Sequence, residues 1–131
     1  MQSRKRKNQK SKKEKEKDMT PNEYQHKAIM FITTYSHRFE YLITGLGAET
    51  GEVLDKYAKA IRAYGDIWAM DEYDRKIFTE NISRELGDVL WFVACLIDRL
   101  GLNMEEVMQQ NISKLEDRKQ RNVIIGDGDN R

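Results

Sequence analysis

Cysteine is almost absent from this chain: Cys95 stands alone among 131 residues. An internal disulfide is therefore excluded. Its apolar surroundings, Trp91 to Leu100, suit a buried thiol in a reducing compartment. No apolar run approaches the roughly 20 residues of a membrane span. The N-terminal residues are too polar for a secretory signal. These absences point to a cytoplasmic protein. Histidine is scarce too, with His26 and His37 only. A carboxylate-bridged di-iron bundle needs Glu-x-x-His on two helices. Only one Glu-x-x-His occurs, Glu23 to His26, and both histidines fall on the first expected helix, so that two-helix metal chemistry is excluded and both are expected to be surface or satisfied core residues. Proline occurs once, at Pro21, which leaves long helices unbroken.

Charge is abundant and unevenly placed. Residues 1–20 carry nine Lys/Arg and three Asp/Glu, a net of +6. The whole chain has 23 basic and 22 acidic residues, so residues 21–131 hold 14 and 19, a net of −5. Residues 1–18 contain no aromatic residue and no apolar one after Met1. Such a segment buries too little surface to offset its ordering entropy. The expected organisation is a disordered basic tail over 1–19 and one helical domain over 20–131. Contact of residues 4–17 with nucleic acid is the functional alternative to a solvated extension.

Local signals predict an all-α fold, a four- to five-helix bundle. Thr20-Pro21-Asn22-Glu23 is a capping box with proline at the first helical position. The first helix is expected to run to about Phe39, with Tyr24, Ala28, Ile29, Ile32 and Tyr35 on its apolar stripe. A second covers roughly Tyr41 to Tyr64, stopped by Gly65. Residues 65–72 form a connection. A third helix spans about Tyr73 to Leu100, ahead of Gly101. Asn103, with Glu106 three residues on, caps a fourth that reaches about Lys119. Val123-Ile124-Ile125 is the one short strand candidate, and the end of the chain reads as a turn-rich tail.

Two of these helices carry an acidic pair at spacing i, i+3: Glu49 and Glu52, then Glu85 and Asp88. Residues three apart share a helix face. In the second helix Leu42, Leu46, Val53, Tyr57 and Tyr64 define the core direction. In the third, Ile82, Leu86, Val89, Val93 and Leu100 do so. Each acidic pair then lies on the flank of the same hand, roughly 60–120° from the core. Two antiparallel helices with matched flanks bring four carboxylates together. Like charges ~4 Å apart repel by ~4 kcal/mol at an effective dielectric near 20, so the cluster calls for protons or cations. All-oxygen ligands select hard cations, Mg²⁺ or Mn²⁺. Metal so held binds a polyphosphate and activates water for in-line attack. One acidic pair alone would read as solvated surface. Glycine costs ~1 kcal/mol against alanine inside a helix, yet Gly51 and Gly87 each precede the last acid of a pair, and Gly45 and Gly47 lie nearby. Glycine there allows close approach of a helix or a ligand.

Three runs then carry a family resemblance: GLGAETGEVLDKYAKAIR (45–62), ISRELGDVLWFVACLIDRLGLNMEEV (82–107) and NISKLEDRKQRNVIIGDGDNR (111–131). In this order they resemble the MazG-type all-α nucleoside triphosphate pyrophosphohydrolases, most closely the small single-domain members of bacteria and phages, over about residues 20–131. The resemblance implies Mg²⁺-dependent hydrolysis of nucleoside triphosphates to monophosphate and pyrophosphate. It implies that Glu49, Glu52, Glu85 and Asp88 are the catalytic metal ligands, and that Asn111 and Lys114 bind substrate. It also implies a homo-oligomer, dimer or tetramer, with sites often completed across subunits. One departure stands out: thirty-two residues separate Glu52 from Glu85, a long connection for the family.

Other residues have two readings each. Lys56 either pairs with Glu52 at i, i+4 or touches a phosphate. Lys114 and Arg118, four apart, make a phosphate-facing cationic edge on the fourth helix. Asp127, Asp129 and Arg131 form either a frayed end or a segment that closes over substrate. Trp91 faces away from the inferred core, toward a subunit interface or a base. Phe92 walls the site or belongs to the core. Which acid takes the proton from water is left open by the spacing. The competing functions are a non-catalytic oligomeric metal-binding module and a nucleic-acid-associated protein acting through its basic tail.

Overall fold

A computed structural model describes residues 18–126 and residue 128. The basic stretch 1–17, together with Asp127, Asp129 and Arg131, lies outside the described residues. Among the described residues four helices follow one another: α1 (Pro21–Ile29), α2 (Phe39–Tyr64), α3 (Glu72–Arg99) and α4 (Met104–Gln120). A short 3₁₀ turn, Ile67–Ala69, lies between α2 and α3. Among the described residues there is no strand, and 123–125 is irregular.

Local chemistry explains most helix ends. At α1 the Thr20 hydroxyl accepts from the Glu23 amide at 3.1 Å, and the Glu23 carboxylate accepts from the Thr20 amide at 2.8 Å. Gly65 ends α2 with φ +76°, and Gly101 follows α3 with φ +72°. Asp71 and Asn103 cap α3 and α4, accepting from the amides of Asp74 (2.8 Å) and Glu106 (2.9 Å).

The first helix is shorter than its periodicity predicts: it stops at Ile29, not Phe39. The amides of Met30, Phe31 and Ile32 donate to carbonyls three residues back, tightening the last turn. Beyond it, the Ser36 hydroxyl accepts from the Thr33 amide at 2.6 Å, and the Ser36 amide donates to the Thr33 hydroxyl. These local bonds give the backbone an alternative to the helix. Ser36 is buried by them, and Tyr35, expected on the apolar stripe, is 76% exposed.

Two apolar clusters hold the bundle. Ala28, Ala94, Ile97 and Met104 join α1, α3 and α4, while Leu42, Phe92, Cys95 and Leu96 join α2 and α3. Trp91 packs against both. Its indole Nε1 donates to the Ala28 carbonyl at 2.9 Å, and its ring meets Phe92 edge-on at 4.9 Å. Trp91 is thus packed within the bundle rather than facing away from it, and Phe92 is core. The buried arc of α3 was misplaced because its C-terminal half packs on three helices, which widens and turns that arc. Phe92 and Ala94–Ile97 are buried there, whereas Leu86 and Leu100 are exposed.

Gln25 ties the ends of the chain together. Buried on α1, it donates to the Leu102 carbonyl at 3.0 Å and accepts from the Met104 amide at 2.7 Å. Beside it, the Asn22 side chain accepts from the Glu105 amide at 3.0 Å. No described helix is long and apolar enough to cross a membrane.

Candidate metal centre

The long antiparallel pair α2 and α3 positions the acids. Glu49, Glu85 and Asp88 each offer one carboxylate oxygen, and these oxygens lie within 4.8 Å of one another. Glu49 and Glu85 are half-buried and Asp88 is exposed. Glu52, one turn after Glu49, is exposed and stands outside this trio. Its charge still reaches Glu49. Burial, then the charges of Asp88, Glu85 and Glu52, push the Glu49 carboxyl above the usual glutamate range.

One cation answers this charge directly. Lys56 Nζ stands 3.3 Å from Glu85 Oε1, so it pairs across to α3 rather than with Glu52 on its own helix. Among the described residues three carboxylates stand with one paired ammonium, a net negative group. The donor set fits a hard divalent cation. Oxygens on opposite sides of a Mg²⁺ ion stand about 4.2 Å apart, so small side-chain rotations within the 4.8 Å grouping suffice. The geometry thus offers a place where anionic phosphate oxygens and a cation can meet on a solvent-open flank.

A Cβ added at Gly47, Gly51 or Gly87 meets no atom within 4 Å. Gly45 is different, because a Cβ there would overlap the buried Phe92 ring. Close packing of α2 on α3 therefore rests on Gly45, and the glycines beside the acids face free space.

The other sequence-predicted residues lie elsewhere. Asn111 and Lys114 are exposed on α4, beyond the part of that helix that packs on the core through Met104 and Val107. Arg118 does not continue an exposed cationic edge with Lys114. It is 4% exposed, and its Nη2 donates to the Gly128 carbonyl at 3.4 Å. His26 and His37 are exposed and take no part in the acidic group. Tyr24 was read only as core. It is near enough to Asp88 for that charge to help burial and Cys95 raise its phenol pKa. Nothing in the α1 periodicity marks that proximity, which arises from packing across α1 and α3.

The comparisons with known proteins agree with this architecture. The model of the MazG nucleotide pyrophosphohydrolase domain matches residues 37–123, which include α2, α3 and α4. The chain is 38% identical over 91 residues to the Gene 37 protein of Mycobacterium phage L5, covering 70% of this chain and 75% of that one. No solved structure matches. Divalent-metal dependence is general in this family, and the acidic trio lies inside the matched region. The chain belongs to the MazG nucleotide pyrophosphohydrolase family.

Proposed function

We propose that this protein is a Mg²⁺-dependent pyrophosphohydrolase that converts nucleoside triphosphates to the monophosphate and pyrophosphate. The observation that carries the reading is the convergence of Glu49, Glu85 and Asp88 from two helices inside a MazG domain. When bound there, Mg²⁺, or Mn²⁺ in its place, supplies charge neutralisation on phosphate oxygens and acidifies water. Glu49, Glu85 and Asp88 would hold it, with Glu52 one turn further along α2 as the fourth acid of the family pattern. A water oxygen bonds to the α-phosphorus, the bond from that phosphorus to the α–β bridging oxygen breaks, and pyrophosphate departs. A carboxylate of the group takes the proton of the water. Glu52 suits that task because it is exposed and outside the trio. Lys56, paired with Glu85, would turn to a phosphate of the bound substrate.

Asn111 and Lys114 are assigned to substrate binding through the family's NxxK element, Asp129 and Arg131 through the GDGDNR run, and Arg118 through its place one turn after Lys114. Asn111 and Lys114 project from a helix that is open along its outer side, and a second copy of the chain would bring them to another copy's acids. Exposed apolar side chains support such a homo-oligomer, a dimer or tetramer. Ile43, Leu54, Leu86 and Leu90 lie on the long helices, and Met108, Ile112 and Leu115 on α4.

Pyrophosphate release from a panel of canonical and modified triphosphates with Mg²⁺ tests the reading. Turnover that disappears on chelation and in Glu85→Gln is the expected result. A folded protein that hydrolyses no triphosphate, or a Glu85→Gln variant with full activity, removes the assignment.

A further inference from the structure

The stretch between the two acidic pairs also builds a cleft. The end of α2, the start of α3 and Met70 of the connection between them enclose about 280 Å³. Ala60, Met70, Ile77 and Phe78 give it apolar walls, and Tyr64, Asp74 and Asn81 bring polar groups to it. Lys56 is shared: it lines this cleft and is paired with Glu85 of the acidic trio. The two sites are therefore continuous along one face of the α2–α3 pair. Glu49 and Ala60 are eleven residues apart on α2, which is roughly 16 Å of helix.

We propose that the cleft receives the nucleoside end of the substrate, with the phosphates running past Lys56 to the acids. This rests on the pyrophosphohydrolase reading above. The chemistry of the walls fits a base and sugar. Mixed apolar lining with a few converging polar groups is the usual make-up of a small-molecule site. The half-buried Phe78 offers a ring against which a base can lie. The Asn81 amide carries both donor and acceptor, which suits the edge of a base. Tyr64 donates its hydroxyl proton to Asp74 at 2.7 Å, fixing that carboxylate while leaving it further acceptor capacity for a sugar hydroxyl or an exocyclic amine. The volume suits one nucleoside rather than a dinucleotide. Base preference is thereby placed on residues 60–81, outside both acidic pairs.

The test compares wild type with Asn81→Ala, and with Tyr64→Phe should the first fail to fold, folding being checked by thermal melting. KM for the preferred nucleotide is expected to rise about tenfold, the loss of one substrate hydrogen bond, with kcat changed less than about threefold. Inorganic tripolyphosphate lacks a nucleoside, so its inhibition constant is expected to be equal in wild type and variant. Asn81→Asp is expected to reorder the bases accepted, which a merely structural role would not do. An unchanged KM and base ranking, or a tripolyphosphate constant that rises in parallel, overturns the proposal while leaving the activity standing. Should wild type turn over no nucleotide, amide-resonance titration with a nucleoside 5′-monophosphate decides the cleft by itself. Shifts over 56–81 that vanish in Asn81→Ala uphold it, and no shifts there overturn it.

Discussion

Replacing Glu49 by glutamine is expected to stabilise the metal-free protein while destroying its response to Mg²⁺. At 4.8 Å and an effective dielectric near 20, one carboxylate pair repels by about 3.5 kcal/mol. Glu49 faces two such neighbours, about 7 kcal/mol before screening. Solvent reduces this steeply, since exposed charge pairs retain only ~0.2–1 kcal/mol each. Asp88 is exposed, and Glu85 already shares its charge with Lys56. A net gain of about 0.4–2 kcal/mol remains, or roughly 2–8 °C in a domain of this size. The pH dependence has a definite sign. The Glu49 carboxyl titrates above its unfolded value. The native state therefore binds the extra proton, and stability is full below the unfolded glutamate range and falls as pH climbs through the raised native value. The glutamine variant loses that fall. Mg²⁺ at a hundredfold excess over its dissociation constant would add about 2.7 kcal/mol to wild type and much less to the variant. Thermal melts across pH, in chelator and in Mg²⁺ at low salt, read all of this. A Glu49→Gln protein that melts below wild type in chelator, or gains as much from Mg²⁺, refutes the reasoning.

Gly45→Ala trades a helix-propensity gain of ~1 kcal/mol against overpacking of about 1–3 kcal/mol on the Phe92 ring. A net loss of up to about 2 kcal/mol is expected in urea unfolding. Gly47→Ala meets open space and should gain up to ~1 kcal/mol, so equal effects at the two sites would contradict the packing described. Gln25→Leu strands the Leu102 carbonyl and the Met104 amide and should cost about 2–4 kcal/mol. A midpoint unchanged in denaturant titration would show that neither bond matters. Burial, with the charge of Asp98, pushes the Cys95 thiol up to about 11. Its reaction with a thiol reagent at neutral pH should therefore track unfolding, and complete labelling of the native protein within mixing time would contradict its burial.

Where structure is written in near-neighbour chemistry, the sequence can be read directly. The Thr20–Glu23 box, Gly65, Gly101 and Asn103 each set a helix boundary through contacts three or four residues long. Glu49, Glu85 and Asp88 were legible as acidic pairs at i, i+3 on two long helices, although Leu86, Leu100, Tyr57 and Tyr64, taken to mark the core direction, are exposed. What periodicity does not hold is the register of one helix against another. That register sets Glu52 outside the trio and sends Lys56 to Glu85 instead. The same limit applies to Trp91. Its direction depended on how many helices surround the end of α3, which no single helix records. The early end of α1 was hidden for a different reason, because Thr33 and Ser36 turn their hydroxyls onto the backbone within an otherwise helix-compatible run. The α2–α3 cleft was foreshadowed only as an overlong connection.

The bonds that join Asn22 and Gln25 to residues 102–105 have a consequence for biosynthesis. Their partners lie 77 to 83 positions later in the chain. At about 5–20 residues per second, roughly 4–16 s separate the synthesis of α1 from that of the residues it needs. A nine-residue helix is too short to persist alone in water. The first helix made therefore waits for its polar partners, which arrive only after α2 and α3 have been synthesised. A chain released short of residue 104 would lack Met104 against Ala94 and Ile97, leaving that side of α3 uncovered for chaperones to hold.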